Sequence, residues 1–212
     1  MTDPTLLSST PYHGGRLQRP AKKQEAAVLR FTQVIIRHLG TMAAIAVVTG
    51  ALVSSAVLFG NWLSLLQEHT LSYALGIFIV LLAIVIYSRL KNIPLSRLQF
   101  AWISYLALIS VIEEIAFRVF IPLALNSYLS FQLSIILSSL IFGLLHYVTL
   151  RWRLSACLIT VLGGIGFSRL LQETGDLALV VLAHWVITFL NTPRPPVGLP
   201  NIDRPKQRQT PR

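Results

Sequence analysis

Charged residues are scarce in this chain, and acidic residues are the scarcest. Among 212 residues, Asp and Glu together number 8, and all charged residues make up 12%. An ordinary soluble domain carries about a quarter charged residues. Hydrophobic residues account for 54% of the chain, and the mean hydropathy is +0.65. These values exclude an ordinary soluble globular domain and predict an integral membrane protein.

Cysteine occurs once, as Cys157, which excludes an intrachain disulfide. The formal net charge of +10 comes from Lys and Arg residues that concentrate in the two ends and in short connections between apolar runs. That distribution is typical of a membrane protein whose basic segments lie on the cytoplasmic side. We therefore predict contact with a lipid bilayer and no nucleic-acid partner.

Six apolar runs approach the roughly 20 residues that a helix needs to cross a bilayer. They predict an all-α, polytopic membrane helix bundle with about six transmembrane helices at 39–60, 71–88, 101–125, 131–149, 154–172 and 177–192. Connections with and without Lys or Arg alternate, which predicts that both termini are cytoplasmic. The expected domains are a basic, largely disordered tail at 1–37, a transmembrane domain at 38–193 and a Pro/Arg-rich tail at 194–212. The compact length suggests a bacterial plasma membrane.

The third apolar run contains three charged residues, within the stretch VIEEIAFRVF at 111–120. Glu113, Glu114 and Arg118 together cost on the order of 8–10 kcal/mol at the centre of a membrane helix. Glu114 and Arg118 are four residues apart, so they share a helix face and can pair. Glu113 has no such partner, and a second carboxylate raises the cost of ionising both. This pattern indicates a functional site, the alternative being a polar cluster that only holds helices together.

Two histidines lie in later apolar runs, at depths that allow them to meet these carboxylates. His146 follows Phe142 by one helical turn, so the aromatic ring can orient the imidazole. Thr188 and Asn191 follow His184 at one and two turns, on nearly the same face. Two carboxylates and two imidazoles in a water-reachable pocket can hydrolyse a bond, with a Glu taking a proton from water and a His stabilising an oxyanion.

A divalent metal such as zinc is a second way to activate water, and Glu113, His146 and His184 are residue types that bind zinc. Their spacing does not form a metal motif such as HExxH. We therefore favour a glutamate-dependent mechanism that requires no cofactor. The histidines of the tail, the membrane edge and an outer loop are assigned no role; they are His13, His38 and His69.

The order of these residues resembles that of a family of intramembrane endopeptidases, the CAAX-protease and bacteriocin-processing family, called CPBP or Abi. The stretch EEIAFR, beginning at Glu113, is similar to the family motif EExxxR, and FGLLH, ending at His146, is similar to FxxxH. The third family motif is HxxxN or HxxxD. His184 matches its first position, whereas Thr188 stands where the family has Asn or Asp. The likeness covers about residues 100–192.

The resemblance implies an all-helical membrane protease that acts on a membrane-associated protein or peptide. It makes Glu113 the residue that activates water and Glu114 the partner of Arg118. It implies that His146 and His184 position water or stabilise the oxyanion.

Two other functions remain open, and the departure of Thr188 from the family pattern supports the first of them. A non-catalytic protein of the same fold would bind a peptide, act in bacteriocin immunity or serve as a scaffold. A small transporter would use the carboxylates as a relay, although the chain has no evident internal repeat. In an active protease, Asn191 would supply the missing amide from the next turn.

Overall fold

The computed structural model describes residues 16–20, 28–53 and 69–196. Within these ranges the structure is mainly helical and has no strand, and an isolated antiparallel bridge joins Gln18 and Trp152. The helices of this part of the chain are α1 (Phe31–Ala51), α2 (Thr70–Leu90), α3 (97–125), α4 (Phe131–Thr149), α5 (Leu154–Thr174) and α6 (Leu177–Asn191). The predicted all-α membrane bundle is confirmed.

Four of the helices, α1, α2, α4 and α5, are long and apolar enough to cross a membrane, and α6 is an apolar helix of 15 residues. Helix α3 is continuous over 97–125, but charged residues interrupt its apolar sequence at Glu113, Glu114 and Arg118. All three of these side chains are buried, and α3 packs against α1 and α6. The bundle therefore surrounds the charges of its most polar helix and keeps them away from lipid.

The first helix begins earlier than the apolar run predicts. We expected a span at 39–60, whereas the helix is Phe31–Ala51, so that residues 31–37 of the predicted tail are helical. Positions 54–60 lie outside the described residues. The basic residues near the helix start lowered the local hydropathy and concealed the true boundary.

Side-chain hydrogen bonds fix the N-terminal end of α1. Gln33 Oε1 accepts hydrogen bonds from the backbone N–H groups of Leu29 (2.8 Å) and Arg30 (2.9 Å), which orders the chain as it enters the helix. Arg37 Nη2 donates to the carbonyl oxygen of Val148 at 3.1 Å. The start of α1 is thereby attached to the end of α4.

Two π-helical turns interrupt the regular helices, at Ile35–Leu39 in α1 and at Ile115–Phe120 in α3. The first contains His38, and the second contains Arg118. A π turn adds one residue to a helical turn and so rotates the side chains that follow, and such turns are frequent at functional sites. Both turns lie where the polar side chains of the bundle meet.

Indole N–H groups hold α6 against α3. Trp102 Nε1 donates to the carbonyl oxygen of Thr192 at 2.7 Å, and Trp185 Nε1 donates to that of Ile103 at 3.2 Å. Both indoles are buried, so these hydrogen bonds satisfy donors that lipid could not. They set the position of α6 relative to the acidic pair of α3.

Gly164 marks the close approach of α5 to the polar part of the bundle. A Cβ atom at this position would lie 3.1 Å from Ser139 Oγ and 3.3 Å from Arg118 Nη2. A Cβ atom at Gly163 or Gly166 would meet nothing within 4 Å. Small residues allow membrane helices to approach closely, and in this segment Gly164 is the glycine that does so.

Candidate active site

The carboxylate of Glu113 is surrounded by imidazoles from three other helices. Its Oε1 lies 2.9 Å from Nε2 of His38 on α1 and 3.8 Å from Nε2 of His146 on α4. Its Oε2 lies 3.6 Å from Nε2 of His184 on α6. Glu113 is 1% exposed, and each of the three histidines is buried. The structure therefore brings Glu113, His146 and His184 together, as the motifs predicted, and adds a third histidine.

His38 is the site residue that the sequence analysis missed, and leaving it without a role was wrong. Its Nε2 approaches Glu113 more closely than does either predicted histidine. The error follows from the predicted helix boundary, because a span beginning at residue 39 puts His38 at the membrane edge. With the helix starting at Phe31, His38 lies about two turns inside it, roughly 10 Å from the end. The correct start of α1 was the signal that could have found it.

Backbone and carboxylate acceptors fix the ring orientation of two of the histidines. Nδ1 of His146 lies 2.9 Å from the carbonyl oxygen of Phe142, and Nδ1 of His184 lies 2.6 Å from Glu114 Oε1. A backbone carbonyl only accepts hydrogen bonds, so the His146 ring donates through Nδ1–H. An ionised Glu114 likewise accepts from His184. In each neutral ring, Nε2 then carries a lone pair directed toward Glu113.

Thr149 fixes the third ring in the same way. Its hydroxyl donates to the carbonyl oxygen of Leu145 at 2.7 Å, so its oxygen is free to accept from Nδ1 of His38 at 2.9 Å. The His38 Nε2 lone pair therefore also faces Glu113 when the ring is neutral. Glu113 Oε1 has no hydrogen bond of good geometry within the described ranges. When the three rings are neutral, the Glu113 carboxylate and the three Nε2 lone pairs are all hydrogen-bond acceptors. A proton or a cation between them is required to compensate the buried negative charge and to satisfy these acceptors.

Glu114 has a different environment from that of its neighbour. Its Oε2 lies 3.2 Å from Nε of Arg118, and both side chains are fully buried. The predicted ion pair within α3 is therefore present. Because Oε1 accepts from His184, both oxygens of Glu114 have a positive or donating partner. Glu114 pairs with the buried arginine and also orients one imidazole of the Glu113 centre.

Aromatic rings enclose the imidazoles. The Phe142 ring contacts His146 edge-on at 4.6 Å between centroids, as the four-residue spacing predicted. Trp152, in the connection between α4 and α5, lies 4.7 Å from the same imidazole. Phe167 of α5 lies 5.2 Å from the ring of His184. These rings restrict the imidazoles to orientations that face Glu113.

Thr188 and Asn191 do not join the centre through a side-chain hydrogen bond in the described part of the chain. Asn191 is exposed as the last residue of α6, and Thr188 is half-buried one turn before it. Two turns of helix carry Asn191 about 10 Å along the axis from His184. It therefore lies too far toward the membrane surface to take the amide position of the family motif.

Three residues of the centre form a compact set of metal-binding types. The ligand atoms of His38, Glu113 and His146 all lie within 4.8 Å of one another. The sequence-based set had His184 in place of His38. The chemistry available here is proton transfer at a buried carboxylate, together with nitrogen and oxygen ligands for a cation.

A comparison with protein families agrees with this geometry. Residues 95–190 match the family model described as type II CAAX prenyl endopeptidase Rce1-like. The match contains Glu113, His146 and His184, whereas His38 lies outside it. Neither the curated proteins nor the solved structures give a match to the chain. Over residues 95–190, this chain is therefore similar to the Rce1-like type II CAAX prenyl endopeptidases.

Proposed function

We propose that this protein is an intramembrane endopeptidase in which Glu113 activates water to hydrolyse a peptide bond of a membrane-associated protein or peptide. The observation that carries the proposal is the buried Glu113 carboxylate facing the Nε2 atoms of three imidazoles. A carboxylate in this position can accept a proton from a water held between it and the rings. The similarity of residues 95–190 to an endopeptidase family supports the same chemistry.

The hydrolytic step uses Oε2 of Glu113 and Nε2 of His184, which are 3.6 Å apart. That separation is too long for a good direct hydrogen bond, and one water beside the pair can donate to both atoms. Glu113 takes a proton from this water as the water oxygen attacks the carbonyl carbon of the substrate. When the C–N bond breaks, Glu113 returns the proton to the leaving amine, so that protons balance over the cycle.

The other imidazoles face the same carboxylate. His146 and His38 donate through Nδ1 to fixed acceptors, so each must also carry a proton on Nε2 to donate to an oxyanion. Such a ring is positively charged and stabilises the negative oxygen of the tetrahedral intermediate. In this scheme Glu113 provides the base, and no cofactor is compulsory.

The substrate is expected to approach from the cytoplasmic face. His146 lies three residues before the end of α4, next to the connection that contains Arg151 and Arg153. Basic connections lie on the cytoplasmic side of a membrane protein. We infer a substrate whose cleavable bond lies at that surface, and we place the protein in a bacterial plasma membrane. A peptide with a lipid-modified cysteine near its C-terminus is the substrate class that the family description suggests.

A second function, peptide binding without cleavage, is favoured by one observation. Thr188 occupies the position of the family Asn or Asp, and no side-chain hydrogen bond of Thr188 reaches the centre in the described residues. A protein that had lost hydrolysis would retain the fold and could act in immunity or as a scaffold. It would bind the same peptide and release it unchanged.

The test uses the full chain purified and reconstituted in lipid vesicles. The probes are a fluorogenic peptide with a farnesylated cysteine fourth from its C-terminus and the same peptide without the lipid group. Wild-type protein is expected to cleave at least one probe, with product masses that show hydrolysis, and Glu113→Gln is expected to cleave that probe at least about 10²-fold more slowly. Glu173→Gln is the matched control, because Glu173 lies on the surface, paired with Arg169. Binding without cleavage by the wild type would overturn the proposal in favour of the second function.

A further inference from the structure

We propose that His38, Glu113 and His146 form a binding site for a divalent transition-metal ion such as Zn²⁺, with its first ligand supplied by α1. His38 lies outside residues 95–190, so this ligand set extends beyond the part of the chain that matches the family model. Binding of an ion here does not depend on the proposed hydrolysis.

The distances within the cluster fit a small ion. With zinc–ligand bonds of about 2.0–2.1 Å, neighbouring ligands of a tetrahedral ion lie roughly 3.3–3.4 Å apart. Glu113 Oε1 lies 2.9 Å from Nε2 of His38 and 3.8 Å from Nε2 of His146, one separation below that value and one above it. All three ligand atoms are within 4.8 Å of one another. Small rotations of the side chains would therefore complete the coordination.

The hydrogen bonds on the far side of each ring are those of a metal ligand. A histidine that binds a metal through one nitrogen usually donates its other N–H to a fixed acceptor, which sets the tautomer and the ring orientation. His146 does so to the carbonyl oxygen of Phe142, and His38 does so to the hydroxyl oxygen of Thr149. Thr149 is itself held by its hydrogen bond to Leu145. Both Nε2 lone pairs are thus oriented before an ion arrives.

The charge of the centre favours a cation. Glu113 is 1% exposed, and its Oε1 receives no hydrogen bond of good geometry among the described residues. Arg118 is already paired with Glu114. A divalent ion would balance the Glu113 carboxylate and bind the two lone pairs at once.

The proposed proton transfer remains compatible with the ion, because the two use different oxygens of Glu113. A bound ion would take the place of the protonated His38 and His146 rings as the positive charge that stabilises the oxyanion. An ion bound through Oε1 leaves Oε2 free, 3.6 Å from Nε2 of His184. The His184 ring is oriented by its hydrogen bond to Glu114, and its Nε2 is a further nitrogen atom beside the cluster that could bind the ion. Zinc bound by two histidines and one glutamate keeps a position open for water.

The experiment titrates chelator-treated, full-length protein in detergent with Co²⁺ and then with Zn²⁺. We expect one equivalent of Co²⁺ to produce the visible absorption of a tetrahedral ion, and Zn²⁺ to remove that absorption. Zn²⁺ should also raise Tm, because it binds only the folded chain. His38→Gln should weaken binding by at least about tenfold. His69→Gln is the matched control, because His69 is exposed in the turn before α2.

A second variant protects the test against misfolding of His38→Gln. Thr149→Val removes the acceptor for Nδ1 of His38 and leaves all three ligands in place. It should weaken Co²⁺ binding by about 10–100-fold while the protein keeps its helical circular dichroism. An absence of Co²⁺ binding to folded wild type, or wild-type affinity in both variants, would overturn the site. Metal binding without peptide cleavage would instead overturn only the proposed hydrolysis.

Discussion

Glu113 and Glu114 are adjacent in sequence and equally buried, yet their surroundings differ. Glu114 has Arg118 at 3.2 Å on one oxygen and a donating imidazole on the other, so its charge is compensated. Glu113 faces the Nε2 atoms of three imidazoles, each of which can be neutral, and neither a lysine nor an arginine pairs with it in the described structure.

The geometry of a helix produces this difference. Successive residues are about 100° apart around the axis, so two adjacent side chains face different neighbours. The Glu114 side chain faces Arg118 in the same helix. The Glu113 side chain faces His38 on α1 and His146 on α4. A buried carboxylate with a permanent counter-ion stabilises the bundle. A buried carboxylate that faces imidazole nitrogens and has no permanent counter-ion is suited to proton transfer.

The largest expected effect is on turnover and follows from Glu113. Glu113→Gln keeps the size of the side chain and removes the base, so we expect the cleavage rate in vesicles to fall by about 10²–10⁴-fold. Its Tm should remain close to that of wild type, because no permanent counter-ion loses its partner. Wild-type turnover in this variant would remove Glu113 from the mechanism.

Glu114 should affect stability more than chemistry. Glu114→Ala leaves Arg118 without its partner inside the bundle, and we expect the free energy of unfolding to fall by about 3–5 kcal/mol. Denaturant titration in detergent micelles measures this change. Replacing both residues, as Glu114→Ala with Arg118→Met, should recover much of the loss because no buried charge is left alone. Unchanged stability with lost turnover would reverse the roles of the two glutamates.

A glycine substitution disturbs the Glu114 side without touching either carboxylate. Gly164→Ala would place a Cβ atom 3.1 Å from Ser139 Oγ and 3.3 Å from Arg118 Nη2. We expect a loss of about 1–3 kcal/mol in the free energy of unfolding, with turnover per folded molecule retained. Gly163→Ala is the matched control, because its Cβ atom meets nothing within 4 Å. Equal stability of the two variants would contradict the close approach of α5.

The smallest effect is expected at Thr188. Thr188→Asn restores the amide of the family motif, and turnover should stay level or rise by up to about tenfold, the equivalent of one added hydrogen bond. Thr188→Val, which keeps the shape and removes the hydroxyl, serves as the control and should behave like wild type. A folded but inactive Thr188→Asn protein would show that this position tolerates no amide.

Contacts within one helix could be predicted from the sequence. The ion pair between Glu114 and Arg118 and the ring contact between Phe142 and His146 both join residues four apart. Helical geometry alone brings such residues together. The convergence of Glu113 with His146 and His184 was predicted from their motifs, because three apolar spans at similar depth have few ways to shield their polar residues.

Contacts that depend on where a helix begins could not be predicted in this way. His38 entered the centre because α1 starts at Phe31 and contains a π turn at Ile35–Leu39. Asn191 fell outside it because α6 ends at that residue. A shift of a few residues in a helix boundary changes both the depth and the direction of a side chain.

The sequence by itself determined a membrane helix bundle with an acidic pair buried in its third helix, because few charges and long apolar runs admit little else. It also determined which carboxylate would pair with Arg118, since that spacing is local. Only the tertiary structure decided that α1 places His38 beside Glu113 and that Thr149 orients its ring. These contacts depend on the packing of separate helices, and packing is set by the whole bundle and not by neighbours in sequence.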